Sequence, residues 1–450
     1  MQRHINPLLF PILFFGLTIL AGGALLHMDI SATGARISWV DSLFTATSAT
    51  CVTGLAVVDT GTAFTHFGQM VILALIQVGG LGIMTLASLA LFLMRRRVSL
   101  FDRIAVGQNL LHDSSFHLGR FLVSIVLLTM AVELAGALLL RLFLPNGITL
   151  YSALFHSVSA FCNAGFSLYP DSLSRWRDNL PVNLVFMALI VLGGIGFSVL
   201  VESGSWLMKL CRGCRGRRPR LTWYTRVVLS TSAMLIVGGA LALLLSEYVG
   251  YHRPVTLRTA VIASFFQSVT CRTAGFNTVQ IGSMTDVSLL IMMFLMWVGG
   301  APGSTAGGVK VTTLRVVAAF FRARTLGRRQ SVVGSIAASR GTENQALVLV
   351  LFSLVLIGLA VFILLVTEGG DIPHSASHGL FLEIAFEVIS AFGTVGLSAG
   401  LTPNLTVTGK CIIMILMFIG RLGPLIFIAV LQEFQREEIV FRPEGDMLIG

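Results

Sequence analysis

The chain has 450 residues, of which 55% are hydrophobic and only 12% are charged, and its formal net charge is +10. This composition excludes an ordinary soluble globular protein of this size and indicates a polytopic membrane protein. The positive charge does not indicate nucleic-acid binding, because the basic residues cluster between apolar stretches instead of covering one soluble face.

The first predicted element is an apolar span over residues 7–26. Its 20 uncharged residues are about what one helix needs to cross a hydrocarbon core roughly 30 Å thick. Arg3 and His4 precede it, but no short hydrophobic region with a small-residue cleavage site follows. We therefore interpret the stretch as a membrane span and not as a signal peptide.

Long apolar spans and short segments alternate along the rest of the chain. Short segments such as 39–50 and 378–392 cannot cross the bilayer, and we predict that they are re-entrant. The predicted opening spans are 7–26, 121–144, 227–246 and 346–366, and the closing spans are 67–94, 182–208, 287–321 and 409–431.

Basic residues follow the closing spans, which places the linkers and the N-terminus in the cytoplasm by the positive-inside rule. They are Arg95, Arg96, Arg97 and Arg103 in the first linker, Lys209, Arg212, Arg215, Arg217, Arg218, Arg220 and Arg226 in the second, and Arg315, Arg322, Arg324, Arg328 and Arg329 in the third.

A fourfold repeat underlies this alternation. The motif glycines are Gly54, Gly165, Gly275 and Gly396, and they lie in the segments SATCVTGL, SAFCNAGF, VTCRTAGF and SAFGTVGL. A phenylalanine stands ten places before each of them. The landmark glycines Gly79, Gly193, Gly299 and Gly420 follow at intervals of 25, 28, 24 and 24 residues. This constancy predicts four homologous units over residues 1–97, 98–220, 221–340 and 341–450.

The residues that lead to each motif glycine predict a cation filter made of backbone. Non-helical backbone at membrane depth is tolerated only where protein or water satisfies its polar groups. Carbonyl oxygens can replace the hydration shell of a cation, whose transfer to low dielectric otherwise costs on the order of tens of kcal/mol. Half-helices that end there would add the negative ends of their dipoles. The predicted filter segments are Cys51, Val52, Thr53 and Gly54; Cys162, Asn163, Ala164 and Gly165; Arg272, Thr273, Ala274 and Gly275; and Gly393, Thr394, Val395 and Gly396.

The third closing span contains a run of glycines and one proline. Each interior Gly costs about 1 kcal/mol and each Pro about 3 kcal/mol relative to Ala, so a regular helix is not expected there. The residues alone leave two readings open, a kinked helix and an intramembrane loop. The segment contains Gly299, Gly300, Pro302, Gly303, Ser304, Thr305, Gly307, Gly308 and Lys310.

Arg421 follows the fourth landmark glycine, where the other units have Gly80, Gly194 and Gly300. An arginine at the centre of a helix costs about 2.5–3.5 kcal/mol on insertion scales, so we expect it to face the bundle interior or a pore. We predict hydrogen bonds from Arg421 to carbonyls of the loop 299–308. A structural ion pair elsewhere in the bundle is the alternative.

These features resemble the Trk/Ktr/HKT superfamily of potassium transporters. The resemblance rests on the four SxxxxxG-type segments, on GGAPGSTAGG at 299–308 and on IGRLGPL at 419–425, and it covers nearly the whole chain. It implies an all-α polytopic membrane protein in which four M1-P-M2 units, with eight transmembrane helices and four re-entrant pore loops, surround a central pore. The chain is most similar to bacterial Ktr membrane subunits, since its first unit begins without an additional N-terminal hairpin.

The resemblance also implies a function. It indicates potassium uptake across the bacterial cytoplasmic membrane, stimulated by sodium, with no covalently bound cofactor and no enzymatic activity. It implies a homodimer on a cytoplasmic KtrA-type nucleotide-binding ring, and it assigns the loop 299–308 and Arg421 to a gate below the filter. In plant relatives a serine at the first motif position accompanies sodium transport, so Gly54 favours potassium. A transporter or channel for another monovalent cation, such as sodium, is the alternative.

The remaining polar residues of the spans carry weaker expectations. Glu387 and Arg272 could form a structural pair behind the filter or contact the ion directly, and no role is assigned to Glu133. Cys211 and Cys214 form an isolated CxxC without a second pair, so reduced thiols are expected there and not a zinc site. The sequence has no HExxH, nucleophile-elbow or P-loop motif, which argues against a membrane enzyme.

Overall fold

The computed structural model describes residues 9–81, 118–211, 220–250, 255–370, 373, 377 and 379–423. Several predicted features lie outside these residues: Arg3, the linker residues Arg95, Arg96, Arg97, Arg103, Arg212, Arg215, Arg217 and Arg218, Cys214, and the ends of the first and fourth closing spans.

In the first unit, an opening helix is followed by a short helix that ends at a filter segment. Helix α1 covers Leu9–His27 and α2 covers Trp39–Thr50, which confirms the short segment predicted over the same residues. The hydroxyl of Ser38 caps α2 by accepting a hydrogen bond from Asp41 N. A single turn, α3 (Thr60–Ala63), then leads into α4 (His66–Gly80).

The second unit contains α5 (Leu118–Phe143), α6 (Leu150–Phe161), α7 (Leu180–Gly194) and α8 (Phe197–Cys211). The prediction of one continuous closing span over 182–208 is wrong, because α7 and α8 meet at an angle of 113°. Gly196 forms the break with a φ of 91°, and the N–H of Phe197 donates to the carbonyl of Gly303 at 3.1 Å. The bend thus accommodates the loop of the third unit.

The third unit resolves the choice between a kink and a loop. Helix α9 (Trp223–Leu243) continues as a π-helix over Leu244–Gly250, and α10 covers Leu257–Thr270. Helices α11 (Asp286–Trp297) and α12 (Val311–Thr325) are separated by the non-helical residues 298–310. The alternative of a kinked helix is therefore wrong, because residues 298–310 form a loop between two separate helices.

The fourth unit follows a small antiparallel hairpin. Strands β1 (Val332–Val333) and β2 (Ile336–Ala337) precede α13 (Arg340–Gly369), α14 (Leu380–Gly393) and α15 (Val407–Leu422). We call α2, α6, α10 and α14 the half-helices. Single 3₁₀ turns lie in the connections, at Asp29–Ser31, Ser174–Trp176, Ile281–Ser283 and Thr402–Asn404.

Apolar helices of membrane-spanning length dominate the part of the chain that the structure describes. Three are long and apolar enough to cross a membrane: Val123–Phe143, Trp223–Gly250 and Arg340–Gly369. The bent pair α7–α8 makes a fourth if it counts as one span. Shorter apolar helices cover Pro11–His27, His66–Gly80 and Asp286–Trp297. Large apolar side chains such as Leu351 and Phe362, each 65% exposed, face outward on α13, as expected for contact with lipid. The protein is a mostly helical membrane protein.

The packing between units closes a cycle. The closing helix of each unit contacts the half-helix of the next: α4 contacts α6, α7 contacts α10, α11 contacts α14, and α15 contacts α2. An ion pair reinforces the last of these contacts, since Lys410 Nζ on α15 lies 2.7 Å from Asp41 Oδ1 on α2. The fourth unit is therefore a direct neighbour of the first.

In three units the landmark glycine allows the closing helix to touch the end of its half-helix. A Cβ atom placed on Gly193 would lie 1.9 Å from the carbonyl oxygen of Phe161, and Gly79 and Gly420 meet their half-helices at 2.0 Å. Real Cβ atoms do not approach an oxygen so closely, so a side chain would force backbone apart. In the third unit, Gly299 meets the carbonyl of Gly307, in the loop, instead of the half-helix.

Gly193→Ala should therefore destabilise the protein. Overpacking a tight contact costs about 1–3 kcal/mol, and here the obstacle is backbone and not a movable side chain. We expect a lower melting temperature of the detergent-solubilised protein than in the wild type. Gly358→Ala in α13 is the matched control, because a Cβ there has no atom within 4 Å. Equal melting temperatures for the two variants would contradict this account of the landmark glycines.

Candidate functional site

The four motif glycines lie side by side around one centre. A Cβ atom on each of them would approach the carbonyl oxygen that precedes the next motif glycine. The pairs are Gly54 with Ala164 (2.4 Å), Gly165 with Ala274 (2.8 Å), Gly275 with Val395 (2.5 Å) and Gly396 with Thr53 (2.0 Å). Since the contacts run through units 1, 2, 3 and 4 and return to unit 1, backbone carbonyls form a closed ring.

All four filter segments adopt one unusual backbone conformation. The motif glycines have φ values between 71° and 95°, which favour glycine. The residue two places earlier also has positive φ, although it carries a side chain in every unit: 55° at Val52, 60° at Asn163, 69° at Thr273 and 50° at Thr394. Such conformations cost of order 1–3 kcal/mol each for residues with a Cβ and persist only when the surroundings enforce them.

Hydrogen bonds to the half-helices enforce this conformation. In the first unit, Thr53 N donates to Ser48 O (2.8 Å) and Gly54 N donates to Ser48 Oγ (3.0 Å). In the fourth, Val395 N and Gly396 N donate to the backbone and hydroxyl oxygens of Ser390, at 2.8 and 3.1 Å. The amide hydrogens of the filter segments are thus held behind the ring, and the carbonyl oxygens remain to face its centre.

The third unit lacks the serine that stands six places before the motif glycine in the other units, and the next residue supplies the hydroxyl instead. Val269 occupies the serine position, but the next residue, Thr270, donates from Oγ1 to Phe276 O at 2.6 Å. In the second unit, Ser159 Oγ makes the equivalent bond to Phe166 O at 2.8 Å. The role of Thr270 was not predicted from the sequence. A hydroxyl displaced by one place from an expected serine was the available signal.

A cavity of about 280 Å³ opens on one side of the ring. All four motif glycines line it, together with residues that follow them, including Asp59, Tyr169 and Ser398. In the connection between α6 and α7, Arg175 lies over the ring of Tyr169, 4.2 Å from its centroid, and pairs with Asp171. Hydrogen bonding from Arg175 lowers the pKa of the Asp171 carboxyl below its usual value. This side of the ring is polar and open.

The loop 298–310 covers the other side of the ring. Thr305 N donates to Gly193 O (3.2 Å), and a Cβ on Gly307 would lie 2.2 Å from Thr394 Oγ1. Within the loop, Ser304 Oγ donates to Ala301 O (2.6 Å), and Lys310 Nζ donates to the carbonyls of Ala306 (2.6 Å) and Gly307 (3.4 Å). These contacts place Gly300, Pro302, Gly303 and Gly308, with the rest of the predicted gate residues, in one segment next to the filter segments.

Arg421 joins this loop to the first unit. Its guanidinium donates from Nη1 to Thr305 O and from Nη2 to Gly79 O, and the residue is only 8% exposed. The predicted hydrogen bond to a loop carbonyl is therefore present. The alternative of an ion pair is not observed among the described residues.

Glu387 and Arg272, for which a structural pair was one of two open possibilities, do not pair with each other. The Arg272 guanidinium donates to Ser232 O (3.3 Å) and to Ser232 Oγ (3.1 Å) on α9, so its side chain points away from the ring. Glu387 accepts hydrogen bonds from Ser398 Oγ and, at 2.8 Å, from Thr402 Oγ1 in its own unit. Glu133 contacts Gln77 Nε2 at 3.3 Å. The two buried side chains of Arg272 and Glu387 thus have separate hydrogen-bond partners.

Comparison with known proteins identifies the family. Residues 18–435 match the TrkH model, which is described as a cation transport protein. The chain belongs to the TrkH family of cation transport proteins. It is a multi-pass membrane protein related to bacterial membrane transporters, and this membership places it among transporters and not among enzymes.

Individual relatives agree with the family. The chain is 40% identical to Ktr system potassium uptake protein B of Bacillus subtilis over 457 residues, covering 100% of the chain and 97% of the relative. It is 35% identical to the potassium/sodium uptake protein NtpJ of Enterococcus hirae, with 100% and 98% covered. The crystal structure of the potassium transporter TrkH from Vibrio parahaemolyticus superposes with a TM-score of 0.74 at 20% identity, covering 97% of this chain and 87% of that one. That likeness establishes the fold.

Thr270→Val should destabilise the third filter segment. The change keeps the side-chain volume but leaves Phe276 O without its hydroxyl partner, which costs about 1–3 kcal/mol for a buried acceptor. We expect a lower melting temperature of the purified protein. Thr231→Val is the matched control, because the hydroxyl of this buried threonine only bonds Val227 O within its own helix. A control that is destabilised as much as Thr270→Val would refute the specific role of Thr270.

Proposed function

We propose that this protein takes up potassium through a selectivity filter of backbone carbonyls that four M1-P-M2 units enclose. The closed ring of carbonyls beside the motif glycines is the observation that carries the proposal. Such a ring can replace the water ligands of a desolvated cation without offering it a charged side chain. The half-helices end next to the filter segments, so the negative ends of their dipoles also favour a cation there.

The choice of potassium rests on the relatives and on the motif. Ktr system potassium uptake proteins and TrkH are named for potassium, whereas NtpJ is named for potassium and sodium. Glycine occupies the motif position in every unit, including Gly54, where the superfamily resemblance associates serine with sodium. Transport of another monovalent cation such as sodium is the second candidate, and the name of NtpJ favours it.

The proposed architecture has eight transmembrane helices and four re-entrant half-helices in the bacterial cytoplasmic membrane, with a cytoplasmic N-terminus. The cyclic packing of closing helices on half-helices supports it. The basic residues of the linkers predict one orientation for all four units, which argues against the inverted repeats of many secondary transporters. A membrane potential of 100 mV, negative inside, is worth about 2.3 kcal/mol per charge and sustains roughly 50-fold accumulation. A gated pore therefore suffices for uptake.

The gate in this proposal is the loop 298–310 together with Arg421. The loop lies directly under the filter segments, and Arg421 fixes it to the backbone of the first unit. A guanidinium at this place also repels a cation that leaves the filter. We further propose that sodium stimulates uptake and that a homodimer works on a cytoplasmic KtrA-type nucleotide-binding ring, as the Ktr system of the relatives suggests.

Ion uptake by a potassium-transport-deficient bacterium tests the proposed function. Expression of the protein should restore growth at low potassium and support uptake of potassium or rubidium, and added sodium should increase the rate. The empty vector is the control. Uptake of sodium alone would support the second candidate, and growth rescued only by an unrelated solute would exclude both.

Gly54→Ser should reduce selectivity for potassium over sodium. Position 54 has a φ of 95°, and a Cβ there would lie 2.4 Å from Ala164 O, so the side chain must push the carbonyls of the ring apart. The predicted result is a clear fall in the ratio of potassium to sodium uptake at equal amounts of protein in the membrane. An unchanged ratio would count against the filter assignment.

Arg421→Ala should increase ion flux. The change removes both the positive charge and the hydrogen bonds that hold the loop, and the loss of one or two such bonds corresponds to about a 3- to 30-fold change in an equilibrium. Initial rates of rubidium uptake measure it. Arg421→Lys keeps the charge but cannot span both carbonyls, so a high rate in both variants assigns the effect to the hydrogen bonds. Wild-type flux in Arg421→Ala, with normal expression, would exclude the gate.

A further inference from the structure

One position in the half-helices carries a different residue in each of the four units. Two units have an ionisable residue there, and the other two do not. Nine places before each motif glycine stand Thr45, His156, Phe266 and Glu387. All four are buried, with at most 2% exposure. The second and fourth units thus bury an ionisable side chain behind the filter, and the first and third do not.

In the second unit this side chain holds the outer end of the filter segment. His156 Nδ1 lies 2.7 Å from Ser152 O, which can only accept, so Nδ1 carries the proton. Its other nitrogen, Nε2, lies 3.1 Å from Ser167 Oγ, two places after the motif glycine, and accepts from Leu168 N at 3.4 Å. Ser167 Oγ in turn accepts from Tyr169 N at 3.0 Å.

The fourth unit repeats this arrangement with different chemistry. Ser398, also two places after its motif glycine, donates from Oγ to the carboxylate of Glu387. The same hydroxyl accepts from Gly400 N at 2.9 Å, two residues further on, as Ser167 accepts from Tyr169. We call each pair of a buried half-helix residue and its serine an outer brace: His156 with Ser167, and Glu387 with Ser398. Both serines line the 280 Å³ cavity at the mouth of the ring.

The first and third units have no outer brace. Thr45 Oγ1 donates to Asp41 O in its own helix, Phe266 has no polar atom, and the residues two places after the motif glycines are Ala56 and Asn277. In these two units, the connection between the motif glycine and the closing helix contacts a braced unit instead. We call this connection the outer connection of each unit. A Cβ on Gly61 would lie 2.1 Å from Leu168 O, and one on Gly282 would lie 2.8 Å from Ala399 O.

Hydrogen bonds also link the third unit to the second. Asn277 N donates to Ser172 Oγ at 3.3 Å, and Leu173 N donates to Asn277 O at 3.1 Å. In the cyclic order of the units, units 2 and 4 are opposite each other. Each unbraced unit therefore lies between two braced units, and two braces suffice to fix all four outer connections.

From these contacts we propose that His156 and Glu387 are positioning residues that set the discrimination between potassium and sodium. They fix Ser167 and Ser398 at opposite points of the filter mouth and thereby fix the width of the carbonyl ring. The proposal rests on the proposed function, because it assumes that the ring discriminates between ions. Neither residue needs to touch the ion, since each acts through the serine of its brace.

Removing the two brace hydroxyls tests this role. Ser167→Ala and Ser398→Ala each delete one hydrogen bond to the buried residue, and a bond of this kind corresponds to about a 3- to 10-fold change. We expect each substitution to lower the ratio of sodium inhibition constant to potassium KM by that factor, and the double variant to lower it further. Ser167→Thr and Ser398→Thr keep the hydroxyl and should restore the ratio.

Thr45→Val is the control, because it removes a buried hydroxyl from the half-helix position that His156 and Glu387 occupy in the braced units. Its ratio should stay at the wild-type value, whereas general loosening of the half-helices would change it as well. An unchanged ratio in the double variant overturns the proposal. Failure of both alanine variants to reach the membrane also overturns it, since the hydroxyls would then serve folding. A wild-type protein that transports sodium and not potassium would refute the proposed function, and the same variants would then be expected to alter the sodium preference.

Discussion

The amide hydrogens of the filter segments need partners at a depth where water is scarce, and the half-helices supply them. Ser48 and Ser390 each accept two amide hydrogens at the end of a half-helix, one on the backbone carbonyl and one on the hydroxyl. Ser159 accepts from Ala164 N on its carbonyl and donates from its hydroxyl to Phe166 O, so each serine holds two points of the segment that follows. This fixes which way the peptide planes face and leaves carbonyl oxygens toward the centre. The positive φ values before the motif glycines are a consequence of the same bonds.

Closure of the ring also requires contacts that hold the first and last units together, because these units are neighbours in space but far apart in the chain. Consecutive units are held near each other by their linkers, whereas units 4 and 1 depend on contacts alone. Two basic residues of α15 bridge that junction, Lys410 through Asp41 and Arg421 through Gly79 O. Arg421 also reaches Thr305 O in the third unit. The arginine thus couples the junction to the loop.

The sequence predicted the features that depend on repetition and on glycine. The register of Gly54 with its three counterparts predicted four segments that the structure brings together around one centre, and the short helix over 39–50 was found with its correct ends. Features that depend on contacts between units were missed. The bend at Gly196 makes room for a loop about a hundred residues away, and nothing in the sequence of α7 and α8 records that neighbour.

Side-chain partners were also beyond reach of the sequence. Arg272 and Glu387 carry opposite charges in neighbouring units, so the sequence left open a structural pair or direct contact with the ion. In the structure Arg272 instead donates to Ser232, and Glu387 accepts from Thr402. Thr270 lies one place after the position of the expected serine, so the sequence shows this hydroxyl but not its bond to Phe276 O.

The different contact of the third landmark glycine shows what a single chain of four units allows that four identical chains would not. Gly299 rests on Gly307 of the loop, where its counterparts rest on the half-helix. In an assembly of four identical chains, a loop inserted at this point would appear four times and would crowd the axis with four copies of the same obstruction. Joining the copies in one polypeptide allows each unit to diverge, so that one unit can carry a loop at the centre while the other three keep the landmark glycine packed against the half-helix.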